Sequence, residues 1–222
     1  MTKRTLAVAV LGVIAFCFGG ALVLAQGGET QERGLVSLPE PQTEGGRPLM
    51  QVLKDRKSTR SVSSRPLPEQ ELSNLLWAAW GVNRPESGKR TAPSAVNWQE
   101  IDIYVAKADG LYLFDANAHA LKLVNPDDVR DLTGRQGFVS TAPLNLVYVA
   151  DYARMGRGSQ NDKDFYSAAD TGFISQNVYL YCASEGLATV VRAMIPRDRL
   201  AEAMDLRPEQ KIILAQTVGY PR

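Results

Sequence analysis

The chain has 222 residues, 45% of them hydrophobic and 22% charged, which allows a leader and one globular domain with a substantial core but not two full domains. Its 25 Lys and Arg against 24 Asp and Glu leave a net charge of +1, which excludes the broad basic footprint of a nucleic-acid binder or of a protein held on an anionic membrane surface. With only Cys17, Cys182 and His119 available, and no CxxC or His-rich cluster, the pattern predicts no protein metal site and no internal disulfide in a domain that retains Cys182 alone.

Lys3 and Arg4 precede an uninterrupted apolar and small-residue run from Leu6 to Ala25, and Val23 and Ala25 offer the small side chains a signal peptidase accepts before Gln26. Residues 1–25 therefore read as an export signal. The run is also about as long as the ~20 residues that span a bilayer as a helix, so an uncleaved N-terminal anchor is the alternative. Basic residues stand ahead of the run and few follow it closely, so the remainder is expected outside the cytoplasm, in the periplasm or another extracytoplasmic space. Residues 26–47 are polar and carry Leu38-Pro39-Glu40-Pro41 and Gly45-Gly46, the composition of a linker or peripheral arm ahead of a domain over 48–222.

Pro48 opens a short helix through Asp55. Pro68, followed by Glu69 and Glu71, opens an amphipathic helix with Leu72, Leu75, Leu76 and Ala79 at helical spacing and its end at Gly81. Ile101, Ile103 and Val105 alternate with polar partners, Ala108-Asp109-Gly110 makes a turn, and Leu111 to Phe114 and Leu121 to Val124 extend an antiparallel meander. Asn125-Pro126-Asp127-Asp128 supplies a cap, a preset first residue and acidic groups, so a short helix is expected there. Leu144 to Ala150 is a candidate central strand. The segment from about Ala168 to Glu185 is apolar on nearly every face, predicts a helix buried all round, and stops at Gly186. Leu187 to Val191 reads as a strand, Pro196 to Met204 as a helix and Lys211 to Val218 as the last strand. Hairpins mixed with helices, without a regular βαβ repeat, argue for an α+β fold.

Two segments carry candidate chemistry. Arg56-Lys57-Ser58-Thr59-Arg60 places three cations and two hydroxyls within one turn, the donor set a phosphate monoester needs; in isolation a solvated basic loop would look the same. Arg90-Thr91-Ala92-Pro93-Ser94-Ala95-Val96-Asn97-Trp98-Gln99 is turn-rich and enters the first strand. Its small residues let backbone approach a planar ligand, with Asn97 and Gln99 able to hydrogen-bond a polar ring edge. Trp77, Trp80 and Trp98 read as packing residues, Cys182 as an inert core thiol, and His119 as a turn residue.

In order, these pieces resemble the nitroreductase superfamily, particularly the branch that includes SagB-type azoline oxidases. The carriers are the basic pentapeptide, Leu75-Leu76-Trp77-Ala78-Ala79-Trp80-Gly81-Val82-Asn83-Arg84, the Arg-Thr-Ala-Pro-Ser-Ala-x-Asn turn, Gly172-x-x-x-Gln176-Asn177, Gly186-Leu187-x-Thr189-Val190-Val191, and Val218-Gly219-Tyr220-Pro221. The resemblance implies an α+β fold with a central, mainly antiparallel sheet flanked by helices, and a homodimer with FMN in clefts at the subunit interface. It also implies that Arg56, Ser58 and Arg60, with Lys57 beside them, hold the phosphate and ribityl chain. Pro93, Ser94, Ala95, Asn97 and Gln99 then lie along the ring, Ala193 and Met194 approach it from the far side, and the helix around Gln176 forms the dimer core. Arg222 is a further candidate phosphate ligand.

The departures are Ala188 and Ala193, where that branch commonly has Gly, and the lack of an adjacent Lys-Tyr pair, which counts against azoline oxidation. The function expected from the resemblance is an FMN-dependent oxidoreductase that passes two electrons, as hydride through flavin N5, to a small acceptor such as a nitroaromatic or quinone; no catalytic side chain is named. Two alternatives stand beside it: a degenerate flavin-binding or flavin-free interaction protein, and an azoline-type peptide oxidase. Export sits uneasily with a cytoplasmic nicotinamide donor, so a quinol or a partner protein is the donor expected outside the membrane.

Overall fold

The structure is a computed structural model that describes residues 34–222; the leader reading of residues 1–25, and the first residues of the expected arm, lie outside the described residues. Seven strands form one sheet: β1 (Leu35–Ser37), β4 (Ile101–Lys107), β5 (Gly110–Asp115), β6 (Ala120–Asn125), β7 (Leu144–Asp151), β8 (Ala188–Arg192) and β9 (Gln210–Gly219), in the order β1-β6-β5-β4-β7-β9-β8. Every pairing in it is antiparallel. A two-stranded ribbon of β2 (Val82–Arg84) and β3 (Lys89–Arg90) stands apart. Among the described residues four helices, α1 (Leu49–Asp55), α2 (Glu69–Trp80), α3 (Gln160–Glu185) and α4 (Arg197–Ala203), complete the α+β fold.

The central strands are covered on both faces. Ile101, Ile103 and Val105 of β4 and Leu144, Leu146 and Tyr148 of β7 pack in one cluster with Leu72, Leu75 and Leu76 of α2 and Ile174, Val178 and Cys182 of α3. Tyr104 and Ala106 of β4 and Val147 and Val149 of β7 point the other way, into a second cluster with Leu200 of α4, Met204 at its C-terminal end and Val129. The alternation seen in the sequence thus continues with an apolar opposite face, because α4 and the segment after β6 form a second covering layer.

Two sequence expectations give way here. No α-helix follows Asn125: that residue ends β6, its side chain accepts the N–H of Asp127, Asp128 accepts the N–H of Arg130, and only a 3-10 turn over Arg130–Thr133 forms. Side chains that satisfy backbone locally compete with helix formation, and Gly134 and Gly137 follow at once. The long helix, in turn, is not buried all round by its own chain. It begins at Gln160, held by a reciprocal capping box between Ser159 and Asp162, and ends at Gly186 in the left-handed region (φ 72°). It buries one face only, from Ser167 through Asp170, Ile174 and Val178 to Cys182. On the opposite face Phe165 is 68% and Phe173 49% exposed. Of the expected arm, Leu35–Ser37 pairs with β6, and Pro39 accepts a hydrogen bond from Ser73, whose hydroxyl also meets Nε2 of His119 in the β5–β6 turn.

Candidate functional site

β8 is an edge strand, so one row of its backbone N–H and C=O groups has no strand beside it. The basic pentapeptide covers that edge. The N–H of Thr59 donates to the carbonyl of Thr189 at 2.8 Å. The N–H of Val191 donates to the hydroxyl of Tyr179 on α3 at 3.0 Å, and the same hydroxyl lies 2.8 Å from Ser58 Oγ. Arg56, at the end of α1, stands over the Tyr179 ring at 5.2 Å. The chain then runs antiparallel to the C-terminal tail: Ser63 N–H donates to Tyr220, Val62 bridges to Pro221, and Arg222 N–H donates to Ser61. Arg222 is thereby delivered to the end of the pentapeptide. Arg56 is half-buried; Lys57, Ser58, Arg60 and Arg222 are exposed. None of these four cations is in an ion pair among the described residues. A cleft of about 500 Å³ opens beside them, lined by Lys57, Thr59, Tyr179, Ala188 and Thr189 among others.

Ala193 and Met194 follow β8 and are exposed, Met194 by 62%. Along an antiparallel edge alternate residues turn their amides outward, so after Val191 the next outward amide is that of Ala193. It donates to no group among the described residues. The methyl of Ala188, by contrast, is absorbed: the residue is 2% exposed and packs with Val62 and Ala142.

The second segment is built differently. Val96, Asn97 and Gln99 all take positive φ, at 52°, 57° and 48°. For a β-branched residue this is strained backbone, of order 1–3 kcal/mol, and it persists only where the surroundings impose it. The N–H of Ala95 donates to Asp170 of α3 at 2.9 Å, Gln99 N–H donates to Ser94 Oγ, and the Ser94 hydroxyl donates to Glu100 Oε2. Glu100 and Asp170 are 0% and 1% exposed. Burial and the neighbouring Asp170 push the Glu100 carboxyl up to about 7. Arg154 reaches over to the Gln99 carbonyl and pairs with Asp102. The result is a turn whose outer side, Pro93, Val96 and Asn97, is exposed while its inner side is pinned; Asn97 Oδ1 accepts a hydrogen bond from the Gln99 amide. The Gln99 amide belongs to the inner side, bonded to Arg90 Nε and to the Gly88 carbonyl. A cleft of about 350 Å³ lies over Arg84, Arg90, Pro93, Ser94, Asn97 and Gln99.

Within one chain these two clusters do not meet. Tyr179 and Asp170 mark where each docks on α3; they are nine residues apart, about 14 Å along the axis, and flank the two margins of the buried face. The stripe of α3 between them that faces outward holds Phe165, Ala169, Gly172, Phe173 and Gln176, and a Cβ placed at Gly172 would meet nothing within 4 Å. On α1, Leu49, Met50 and Leu53 are exposed as well.

Tyr179, Glu100 and Asp170 escaped the sequence reading. Tyr179 sits in an apolar helical pattern that explains it as packing, and the carboxyl pair joins positions 70 residues apart that no local spacing connects. Cys182 is buried, and that burial raises its thiol well above the usual range, as expected of an inert core thiol.

Comparisons with known proteins bear on the family and the fold. The Nitroreductase family profile matches residues 53–220. A curated Methanocaldococcus jannaschii protein named as a nitroreductase is 34% identical over 174 residues, covering 73% of this chain and 84% of its own. A crystal structure from Ralstonia eutropha JMP134, also named as a nitroreductase, superposes with a TM-score of 0.81 at 47% identity over 85% of this chain and 90% of that one. An NADPH:FMN oxidoreductase from Vibrio harveyi, complexed with NAD+, shares the fold at a TM-score of 0.57 and 18% identity, over 78% of this chain and 68% of the other.

Proposed function

This chain belongs to the nitroreductase family of flavin-dependent oxidoreductases, and on that premise we propose that it binds FMN between two copies of itself and reduces a small organic acceptor such as a nitroaromatic or quinone. The observation that carries the choice of FMN is the donor set along the open edge of β8. Arg56, Lys57, Ser58 and Arg60, with Arg222 brought alongside by the pairing of the tail with Ser61, form a cationic patch in which no member is ion-paired among the described residues. Such a set fits a dianionic phosphate, which guanidinium groups engage bidentately. Further along the same edge the unpaired amide of Ala193 fits the electron-rich edge of a flavin ring. When bound, the flavin supplies two-electron transfer between a donor and an acceptor that take turns in the cleft.

The residues of this chain bind, orient and exclude water. Tyr179 holds Ser58 toward the phosphate side while capping Val191, so the phosphate grip and the edge strand under the ring move as one unit. The pinned turn over Pro93–Asn97 offers a flat outer surface for the opposite side of the ring. Because each chain keeps these two clusters about 14 Å apart on α3, the cleft that unites them takes the β8 edge from one protomer and the turn from its partner. The exposed stripe of Phe165, Gly172 and Phe173 supports that assembly: small residues allow close helix approach and two large aromatics lack cover in the single chain.

We place this domain outside the cytoplasm, on the strength of the basic residues and apolar run at the N-terminus, with a donor other than a soluble nicotinamide. The testing experiment is purification of the whole chain. A yellow protein that dithionite bleaches and a nitroaromatic or quinone recolours bears the proposal out; a colourless protein that ignores added FMN defeats it and leaves the flavin-free interaction protein standing.

A further inference from the structure

The turn over Pro93–Asn97 and the long helix meet at two carboxyl groups that nothing in the redox chemistry accounts for. Glu100, at the head of β4, is fully buried; its Oε2 accepts the Ser94 hydroxyl, while its Oε1 is buried and has no donor. Asp170 of α3 is 1% exposed and its Oδ2 accepts the Ala95 N–H. Among the described residues neither carboxylate is in an ion pair. Tyr152, from the turn after β7, feels the Glu100 charge, and the guanidinium groups anchored on the neighbouring Gln99 are spent elsewhere, Arg154 on the Gln99 carbonyl and Asp102, Arg90 on Gln99 Oε1 and the Trp80 carbonyl. Two buried carboxylates side by side cannot both ionise cheaply, whereas one proton between them turns the orphaned Oε1 into a donor.

We propose that Glu100 carries a single buried proton that it donates to Asp170, and that the two act as a positioning pair that holds the Ser94–Gln99 turn in its left-handed geometry, so that loss of this proton releases the turn that faces the flavin. The last clause rests on the flavin reading; the rest does not. The strain at Val96, Asn97 and Gln99 supplies the restoring force for release, and two of the hydrogen bonds that anchor the inner side of the turn, from the Ser94 hydroxyl and the Ala95 N–H, end on the pair. The sign follows from burial. The Glu100 carboxyl stands at about 7 in the closed turn against an ordinary 4.5, so the closed form binds the extra proton, keeps its full hold at acid pH and loses hold as the pH rises toward 7. Above that the loss levels off.

Hydrogen exchange of the peptide covering 91–101, in the full-length protein without added flavin and corrected for intrinsic rates, tests this. From those two values the opening constant rises on the order of thirtyfold between about pH 5.5 and pH 8.5. E100Q and D170N, each of which replaces the shared proton by a permanent amide donor, flatten the profile while remaining folded by thermal melting. A flat wild-type profile, or an E100Q profile as steep as the wild type, overturns the pair. FMN affinity measured by fluorescence quenching at the same two pH values weakens in step for the wild type and not for E100Q. If FMN fails to bind at either pH the flavin reading falls, and the exchange profile alone still decides for or against the shared proton.

Discussion

Removing one hydroxyl, Tyr179→Phe, tests whether the basic segment and the edge strand form one unit. The ring stays, so its burial at 7% exposure and the Arg56 guanidinium 5.2 Å above it are retained. What goes is the acceptor for Val191 N–H at 3.0 Å and the partner of Ser58 Oγ at 2.8 Å. An amide left without an acceptor costs about 1–3 kcal/mol, because its water was already surrendered on folding. At roughly 2–4 °C per kcal/mol for a chain of this size, the midpoint of thermal unfolding falls by about 2–12 °C. Freed of Tyr179, Ser58 no longer presents a fixed hydroxyl, and FMN affinity falls about tenfold, equivalent to ~1.4 kcal/mol. Differential scanning fluorimetry and flavin-fluorescence titration read the two effects. Tyr181→Phe is the control, since its hydroxyl makes only a 3.5 Å bond to the Glu71 carbonyl. If Y179F melts with the wild type and binds FMN within a factor of two of it, the coupling between segment and edge is wrong.

Three further outcomes are expected. Arg56→Ala with Arg60→Ala leaves the melting temperature within about 2 °C, as these side chains make no internal ion pair among the described residues, but weakens FMN binding at least tenfold and flattens its salt dependence in a titration from low to high ionic strength. Phe173→Glu weakens self-association by on the order of 2 kcal/mol, read as a shift toward monomer in size-exclusion chromatography with light scattering, and takes FMN binding with it; a variant that stays dimeric refutes α3 as the dimer seam. Alkaline phosphatase fused after Arg222 is active in the intact cell if the domain is exported, and inactivity there defeats that placement.

Much of the α+β architecture was legible from residue patterns. Leu72, Leu75, Leu76 and Ala79 recur at helical spacing and form the buried face of α2, and the meander from Ile101 to Val124 appears with its Asp109-Gly110 turn because alternation and turn chemistry are local properties. Pro48, Pro68 and Gly186 marked helix ends within a residue or so for the same reason. The Asn125 region misled, since the side chains that start helices also make turns that replace them, and only the sheet register decides between the two. For α3, composition could say that the helix is apolar but not which face is covered by its own chain: Phe173 and Ile174 are equally apolar, and one is 49% exposed while the other is fully buried.

At the site, the basic pentapeptide and the Pro93–Asn97 turn were readable as ligand-facing chemistry because charge density and small residues announce themselves. Their placement was not. That Thr59 closes the edge of β8 and Ser58 meets Tyr179, that the tail carries Arg222 back to Ser61, and that Glu100 and Asp170 lie beneath a strained turn all depend on contacts between residues from 70 to more than 150 positions apart. A sequence writes its local preferences in neighbouring letters, whereas burial, shared protons and the pairing of distant edges exist only once the chain has closed on itself.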